Sequence, residues 1–544
     1  RAPQECAVEQ EAQWRRRERP SAMKAAPSSM QAGAATAAGW GREAGRVRRA
    51  ERAVRWTHPA PRAPPISSSR TKRAFVVRAS VGASSASSSS PAGSFRGAAS
   101  DAGSTTADEC LEVAGMAKLE GHVRISGAKN SALALFAATL LCSKGEMLLR
   151  RVPQLVDLTS MSEVLASVGC ACEFGVEGNP ENVVLNTQTL TSCTPSVTAV
   201  RKLRASFLVA GPLLARLGEA CLPLPGGCNI GARPVDLHIR GLQAMGAEVE
   251  MKDGRVYLRS GAGGSLQGAK IYLDYPSVGA TETIMMAAVL AEGETKIANV
   301  AQEPEVVDLA DMLNCMGAKV RGAGTNTITI EGVKELRGVE YSIIPDRIEA
   351  GTFLVAGAIT NSMLSIGPVC PQHLTAVTAK LQETGCQVIV DKPDVLRIVP
   401  SEVLSPVDIT TLPYPGFPTD MQSQFMSLLT MCDGTSVVRE TVFENRMKNV
   451  EQLRIMGGKI KMAGSGSAVV EGQGREGRLH GAHVEGGDLR ASAALVLAGL
   501  AAQGVTTVAG LKHLDRGYFD FEGKLRSLGA DVRRVPRQDL SSGL

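Results

Sequence analysis

The stretch PLPGGCNIGARP, Pro223 to Pro234, sets Cys228 among glycine, proline and asparagine, five residues before Arg233. A thiol in such a loop, beside a cation that lowers its pKa, is a candidate acid or nucleophile. Gly226, Gly227 and Gly231 free the backbone for close approach to a ligand. The bland alternative is a surface cysteine of no consequence. A second candidate is SGAKN, Ser126 to Asn130, which follows the strand-like HVRI and opens a helix. Lys129 could there hold a phosphate or carboxylate at a helix N-terminus. It is no Walker loop, and a capping turn with an exposed lysine fits equally well. Further polar loops are EPEVVD (303–308), FENRM (443–447) and HLDRGY (513–518), with PDRIEAGT (345–352), FPTDMQSQF (417–425) and GGDLRASA (486–493). Taken singly, each Asp-Arg pair is the usual mark of a helix-cap salt bridge. Recurring at the same phase of repeated units, they could converge on one cleft between two domains.

Positioning these residues is the task of a repeat. Leu-x-x-x-Gly-[small]-x-[apolar] recurs as LASVGCAC, LQAMGAEV, LNCMGAKV, LQETGCQV, LRIMGGKI and LRSLGADV, with glycines at 169, 246, 317, 385, 457 and 529. The spacings are 77, 71, 68, 72 and 72 residues, so a unit of about 70 residues occurs six times. Each unit runs from an Ala/Leu-rich helix through a glycine turn to a β-branched strand, then through a loop and an amphipathic helix to the capping glycine. In the fourth unit Asn361 and Ser362 replace the glycine turn, which asparagine can accommodate. From turn to cap the units measure 24, 28, 24, 23, 23 and 25 residues, and the excess of the second is the Cys228 loop. Apolar helices with short strands predict an α+β fold with helices inside and sheets outside, six units forming two closed domains of three.

The chain has 544 residues and a formal charge of +5, unevenly spread: residues 1–100 carry +12 and the rest −7. No continuous basic face for nucleic acid is expected, and an anionic ligand must be met by a few placed cations. From Met23 to Ser100 there are 13 basic residues and only two acids, amid serine-rich runs and with no long apolar stretch. That is the composition of an organelle transit peptide, unlike a secretory signal or a membrane span, although a disordered basic tail shares it. VVRAS, Val76 to Ser80, resembles a plastid processing site, so the expected compartment is the plastid stroma, with the cytoplasm as alternative. Twelve cysteines show no CxxC pair and no zinc spacing, and Cys170 with Cys172 reads as core filling. Free thiols in a reducing compartment are expected.

ISGAKN, LRAS, GPLLA, LPGGCNIGARPVDLH, PSVGATETI, EPEVVD, PDRIEAGTF, FPTDMQSQF, TVFENR, DLRASAALVLAG and DRGY occur in this order. Together they resemble the UDP-N-acetylglucosamine enolpyruvyltransferase family from about Leu111 to about Val535. The resemblance implies an inside-out α/β barrel of six βαβαββ units in two domains. These are 129–344, carrying the Cys228 loop, and 111–128 plus 345–536, between a leader (1–110) and a tail (537–544). It implies transfer of the enolpyruvyl group of phosphoenolpyruvate to the 3-hydroxyl of UDP-N-acetylglucosamine, with release of phosphate, the first committed step of peptidoglycan synthesis. It implies no metal, no organic cofactor and no membrane or nucleic-acid partner, and a monomer is the expected state.

By motif, Cys228 resembles the proton donor to the phosphoenolpyruvate methylene carbon, and Asp420 the carboxylate that contacts the sugar 3-hydroxyl as general base. Lys129, Arg233 and Arg516 resemble the phosphoenolpyruvate clamp, with Asn130, Arg490, Asp488 and Arg446 in support. Arg204, Arg233, Pro234, Val235, Asp236, Leu237, Tyr275, Pro276, Ser277, Val278 and Val442 match nucleotide-sugar contacts. ASFLV and DYPSV depart from the common pattern, so uridine packing can differ in detail. The competing readings are the paralogous 3-phosphoshikimate 1-carboxyvinyltransferase, whose pattern lacks the cysteine loop, and a non-catalytic UDP-sugar-binding copy, which would be expected to lose its cleft charges.

Overall fold

The computed structural model describes residues 109–224, 235–261, 263–477 and 479–537. The leader, Cys228, Arg233 and Pro234 lie outside the described residues.

All six Leu-x-x-x-Gly glycines have φ between 88° and 110°, a left-handed conformation that a side chain would strain. Asn361, at the turn where the fourth unit lacks glycine, has φ 52°, the region that asparagine tolerates best after glycine.

Each unit contributes one inner helix: Lys129–Thr139, Ala210–Leu217, Val278–Ala288, Arg347–Ile359, Gln422–Leu429 and Leu489–Ala501. Their alanine- and leucine-rich sequences are apolar all round, and such helices belong in a core. Apart from the C-terminal turn of Ala210–Leu217, burial fails only at N-termini, where Asn130, Val278, Gly279, Arg347 and Leu489 remain partly or fully exposed.

The sheets lie outside these helices and repeat one pattern. In the first, Glu340–Ser342 runs parallel to Met147–Arg150, which is antiparallel to Val183–Asn186, itself antiparallel to Ala171–Phe174. The same parallel, antiparallel, antiparallel order recurs in four other sheets. The sheet of Glu219–Pro223 has three strands among the described residues, with the Cys221 N–H donating to the Cys193 carbonyl at 3.0 Å on its free edge. Central strands alternate buried and half-buried residues, as in TITIE (327–331), because only one face meets the helices. This is the α+β, helix-inside arrangement that the repeat predicts.

Buried apolar residues form two clusters, one from Ala128 to Ile343 and one from Leu111–Ile125 together with Ile348–Val532. Glu109–Ala114 and Gly121–Arg124 complete sheets of the second cluster, pairing with Val505–Ala509 and Leu364–Gly367. The chain therefore passes twice between clusters, and the two passages pair: Ala128 N–H donates to Ile344 O at 2.7 Å and Asp346 N–H to Ser126 O at 2.9 Å. Asp346 caps Arg347–Ile359 through Oδ1, accepting from the Ile348 and Glu349 N–H groups, while its Oδ2 accepts from Lys129 N–H at 3.1 Å. One carboxylate thus sets two inner-helix N-termini side by side. Among the described residues no helix is long and apolar enough to cross a membrane.

Candidate active site

The partly exposed first residues of the inner helices face a cavity of about 670 Å³ lined by residues of both clusters. Helix N-termini carry unsatisfied N–H groups and positive dipole ends, so their convergence favours an anionic occupant.

Lys129 opens the helix that follows SGAKN and is almost fully buried. Its Nζ lies 2.7 Å from Asp157 Oδ2, and Arg516 Nε lies 2.7 Å from Asp157 Oδ1. Asp157 belongs to the first cluster's side and Arg516 to the second, 359 residues on, so this carboxylate joins the two. Burial alone would raise the Asp157 pKa, but Lys129 and Arg516 hold it below the usual carboxylate range. Burial pushes the Lys129 ammonium down; Asp157 opposes this, and Arg490 and Arg516 add to it.

Asp420 forms a second node. Its Oδ1 meets Arg446 at 2.8 Å, and its Oδ2 meets the Arg490 terminal nitrogen at 3.0 Å and Nε at 3.2 Å. Burial works against the charge, yet the two arginines hold the carboxyl well below its ordinary range. Arg446 also donates to Thr419 Oγ1 at 2.8 Å, and Arg490 stacks on Tyr518 with 5.3 Å between guanidinium and ring centroid. Both arginines are buried, and Arg490 Nη1 has no hydrogen-bond partner among the described residues. A buried guanidinium with an unused donor on a cavity wall is a ready receptor for an anion.

None of the Asp-Arg pairs closes on itself. Asp346 and Asp488 cap helices, the latter accepting from Arg490 and Ala491 N–H. Asp515 pairs with Arg534. The neighbouring arginines reach elsewhere: Arg347 to Glu305 at 3.0 and 3.2 Å, Arg490 to Asp420, Arg516 to Asp157.

Of the residues singled out in the sequence, Lys129, Asn130, Asp420, Arg446, Asp488, Arg490 and Arg516 all line the cavity. So do Arg204, Val235, Leu237, Tyr275, Pro276, Ser277, Val278 and Val442. Asp236 starts the helix Asp236–Ala244 and is not among the lining residues. Sequence reasoning assigned no role to Asp157, Glu282, Glu303, Glu305 or Arg347. A signal for two of them existed: Asp157 and Glu305 each stand twelve residues before their unit's capping glycine, Gly169 and Gly317.

A family profile described as EPSP synthase (3-phosphoshikimate 1-carboxyvinyltransferase) matches residues 113–525. Among solved structures, the enolpyruvyl transferase NikO from Streptomyces tendae superposes with a TM-score of 0.70 at 25% identity, over 79% of this chain and 99% of that one. EPSP synthase of Acinetobacter baumannii gives 0.63 at 19% identity, over 78% and 100%. The chain belongs to the enolpyruvyltransferases. Curated relatives named UDP-N-acetylglucosamine 1-carboxyvinyltransferase are 54% identical in Nostoc sp. (427 residues; 78% of this chain, 93% of the relative) and 55% identical in Synechocystis sp. (426 residues; 78% and 95%). Within the enolpyruvyltransferases the chain belongs with the UDP-N-acetylglucosamine 1-carboxyvinyltransferases.

Proposed function

We propose that this enzyme transfers the enolpyruvyl group of phosphoenolpyruvate to the 3-hydroxyl of UDP-N-acetylglucosamine and releases phosphate, the first committed step of peptidoglycan synthesis. The observation that carries the reading is the pair of carboxylates, Asp157 and Asp420, each held between two cations of one cavity. At these two nodes four cations stand against two carboxylates, a local positive surplus for a small trianion or dianion.

In this reading Lys129, Arg516 and Arg233 clamp phosphoenolpyruvate, supported by Asn130 and Arg490. Cys228 gives its proton to the methylene carbon, leaving a cationic C2 that the sugar hydroxyl attacks. Asp420 accepts the hydroxyl's hydrogen bond. Its two arginines make it a weak base, so taking the proton requires one of them to turn toward the substrate anion. The tetrahedral adduct then loses phosphate from C2 and a proton from the former methylene carbon, restoring the double bond. Arg204, Pro234 to Leu237, Tyr275 to Val278 and Val442 contact the nucleotide sugar. The two apolar clusters act as two domains, 129–344 and 111–128 plus 345–536, in a monomer.

The test is phosphate release from phosphoenolpyruvate with UDP-N-acetylglucosamine, against shikimate 3-phosphate as the rival acceptor. Turnover only with shikimate 3-phosphate overturns the assignment, and a Cys228→Ala variant as fast as the parent removes Cys228 as the acid. The leader is proposed to direct the chain to a plastid. A fluorescent fusion of residues 23–110 that stays in the cytoplasm refutes this.

A further inference from the structure

Among the described residues six carboxyl side chains line the cavity, and five of them have partners. Asp157 and Asp420 each hold two cations, Asp488 caps a helix, Glu305 pairs with Arg347, and Glu303 accepts from the Tyr414 N–H at 3.3 Å. Glu282, in the second turn of Val278–Ala288, is 4% exposed and has no hydrogen bond or ion pair among the described residues. Burial, then the nearby Glu305 and Glu303, push its pKa well above the usual range, which favours the neutral acid, a form with an O–H to donate and a C=O to accept.

Such a group weakens a fold. A leucine of similar size would pack in its place without desolvating a carboxyl. A buried polar side chain that keeps donor and acceptor unused on a cavity wall is suited to a ligand. The surroundings limit which part of a ligand. Glu282 shares the cavity wall with Asp420, the carboxylate assigned to the acceptor hydroxyl, and with Glu305, which pairs with Arg347 at 3.0 Å. Glu303 and Glu305 beside Arg347 make this wall unfavourable for phosphate, while the unpartnered Glu282 accommodates hydroxyl and amide groups.

We infer that Glu282 is a specificity-determining residue that hydrogen-bonds the uncharged sugar portion of the acceptor. The inference rests on the acceptor reading above, and names the half of the acceptor that this carboxyl contacts.

Titration calorimetry of Glu282→Leu, Glu282→Asp and Glu282→Gln with UDP-N-acetylglucosamine and with UDP tests it. In the Leu variant, affinity for UDP-N-acetylglucosamine falls about tenfold or more while affinity for UDP is unchanged. The Asp variant, one methylene short, shows the same sugar-selective loss, and the Gln variant, which keeps a donor and an acceptor in place, stays within about threefold of the parent. Should the Leu variant not fold, the Asp and Gln variants decide. Unchanged sugar-nucleotide affinity in Leu and Asp, or equal losses for UDP and UDP-N-acetylglucosamine, overturns the inference. A parent that releases no phosphate with this acceptor refutes instead the function on which it rests.

Discussion

Asp157 and Glu305 occupy the same place in two copies of one repeat, second residue of an outer helix and twelve before the capping glycine, yet their surroundings have opposite sign. Asp157 is outnumbered by Lys129 and Arg516, whereas Glu305 has Arg347 alone and neighbours Glu282 and Glu303. Both reach an arginine of the other apolar cluster, so both serve as links between halves. The first leaves a positive surplus that can take an anion; the second leaves a negative surplus that excludes one. A six-fold repeat makes such differentiation simple, because equivalent positions already face the same cavity and only the side chains need diverge.

The comparison can be broken most severely at Asp157. Asp157→Asn leaves the buried Lys129 and the partly exposed Arg516 without their shared carboxylate, and unfolding by denaturant should show a loss of about 3 kcal/mol. Because its carboxyl is held below the ordinary range, the stability Asp157 provides is complete above the unfolded value near 4 and fades as pH falls toward the folded one. The Asn variant should lack that acid-side decline. Arg516→Ala, read by phosphate release at varied phosphoenolpyruvate, should lower kcat/KM by about 10²–10³-fold, as loss of one charge-stabilising contact does.

Asp308 sharpens the contrast, being one turn beyond Glu305 where the first unit has Ser160. It accepts from Tyr341 Oη at 2.7 Å and from Ser131 Oγ, and burial pushes its pKa from 3.8 up to about 7. The unfolded chain ionises first, so this residue removes stability as pH rises from about 4 to 7. Asp308→Asn should flatten that window in a series of thermal melts. Glu305→Gln should cost only about 1–2 kcal/mol, less than Asp157→Asn, because losing the Arg347 pair is partly offset by relief of repulsion from Glu303. The smallest effect belongs to Gly317→Ala. No atom lies within 4 Å of the added Cβ, so only its φ of 110° is strained, and about 1 kcal/mol should be lost with kcat unchanged.

Much of the site was legible from sequence because its residues sit at fixed phases of the repeat. SGAKN, FPTDMQ, DLRAS and DRGY each open or precede a helix, and Lys129, Asp420, Arg490 and Arg516 accordingly reach the same cavity. Their partners were not legible. Asp157 lies in VPQLVD, whose apolar neighbours resemble any helix start, and Glu282 lies in ATETIMMAA, where one acid in a core-facing helix reads as a surface position. The closely spaced Asp and Arg residues suggested local salt bridges, and the structure instead sends each arginine to another element.

The sequence by itself determined the six-fold repeat, the left-handed caps with the asparagine substitute, the helix-inside layering and the candidate anion-binding residues, because turn geometry and apolar periodicity are settled within a few neighbouring residues. Only the tertiary structure decided which strands the segment 109–124 pairs with in the second half, that Asp346 binds two helix starts, and that Asp157 answers an arginine 359 residues away. Those choices depend on how separate units pack, and the sign of each wall of the cavity follows from them, since a charge takes its meaning from whichever groups burial places beside it.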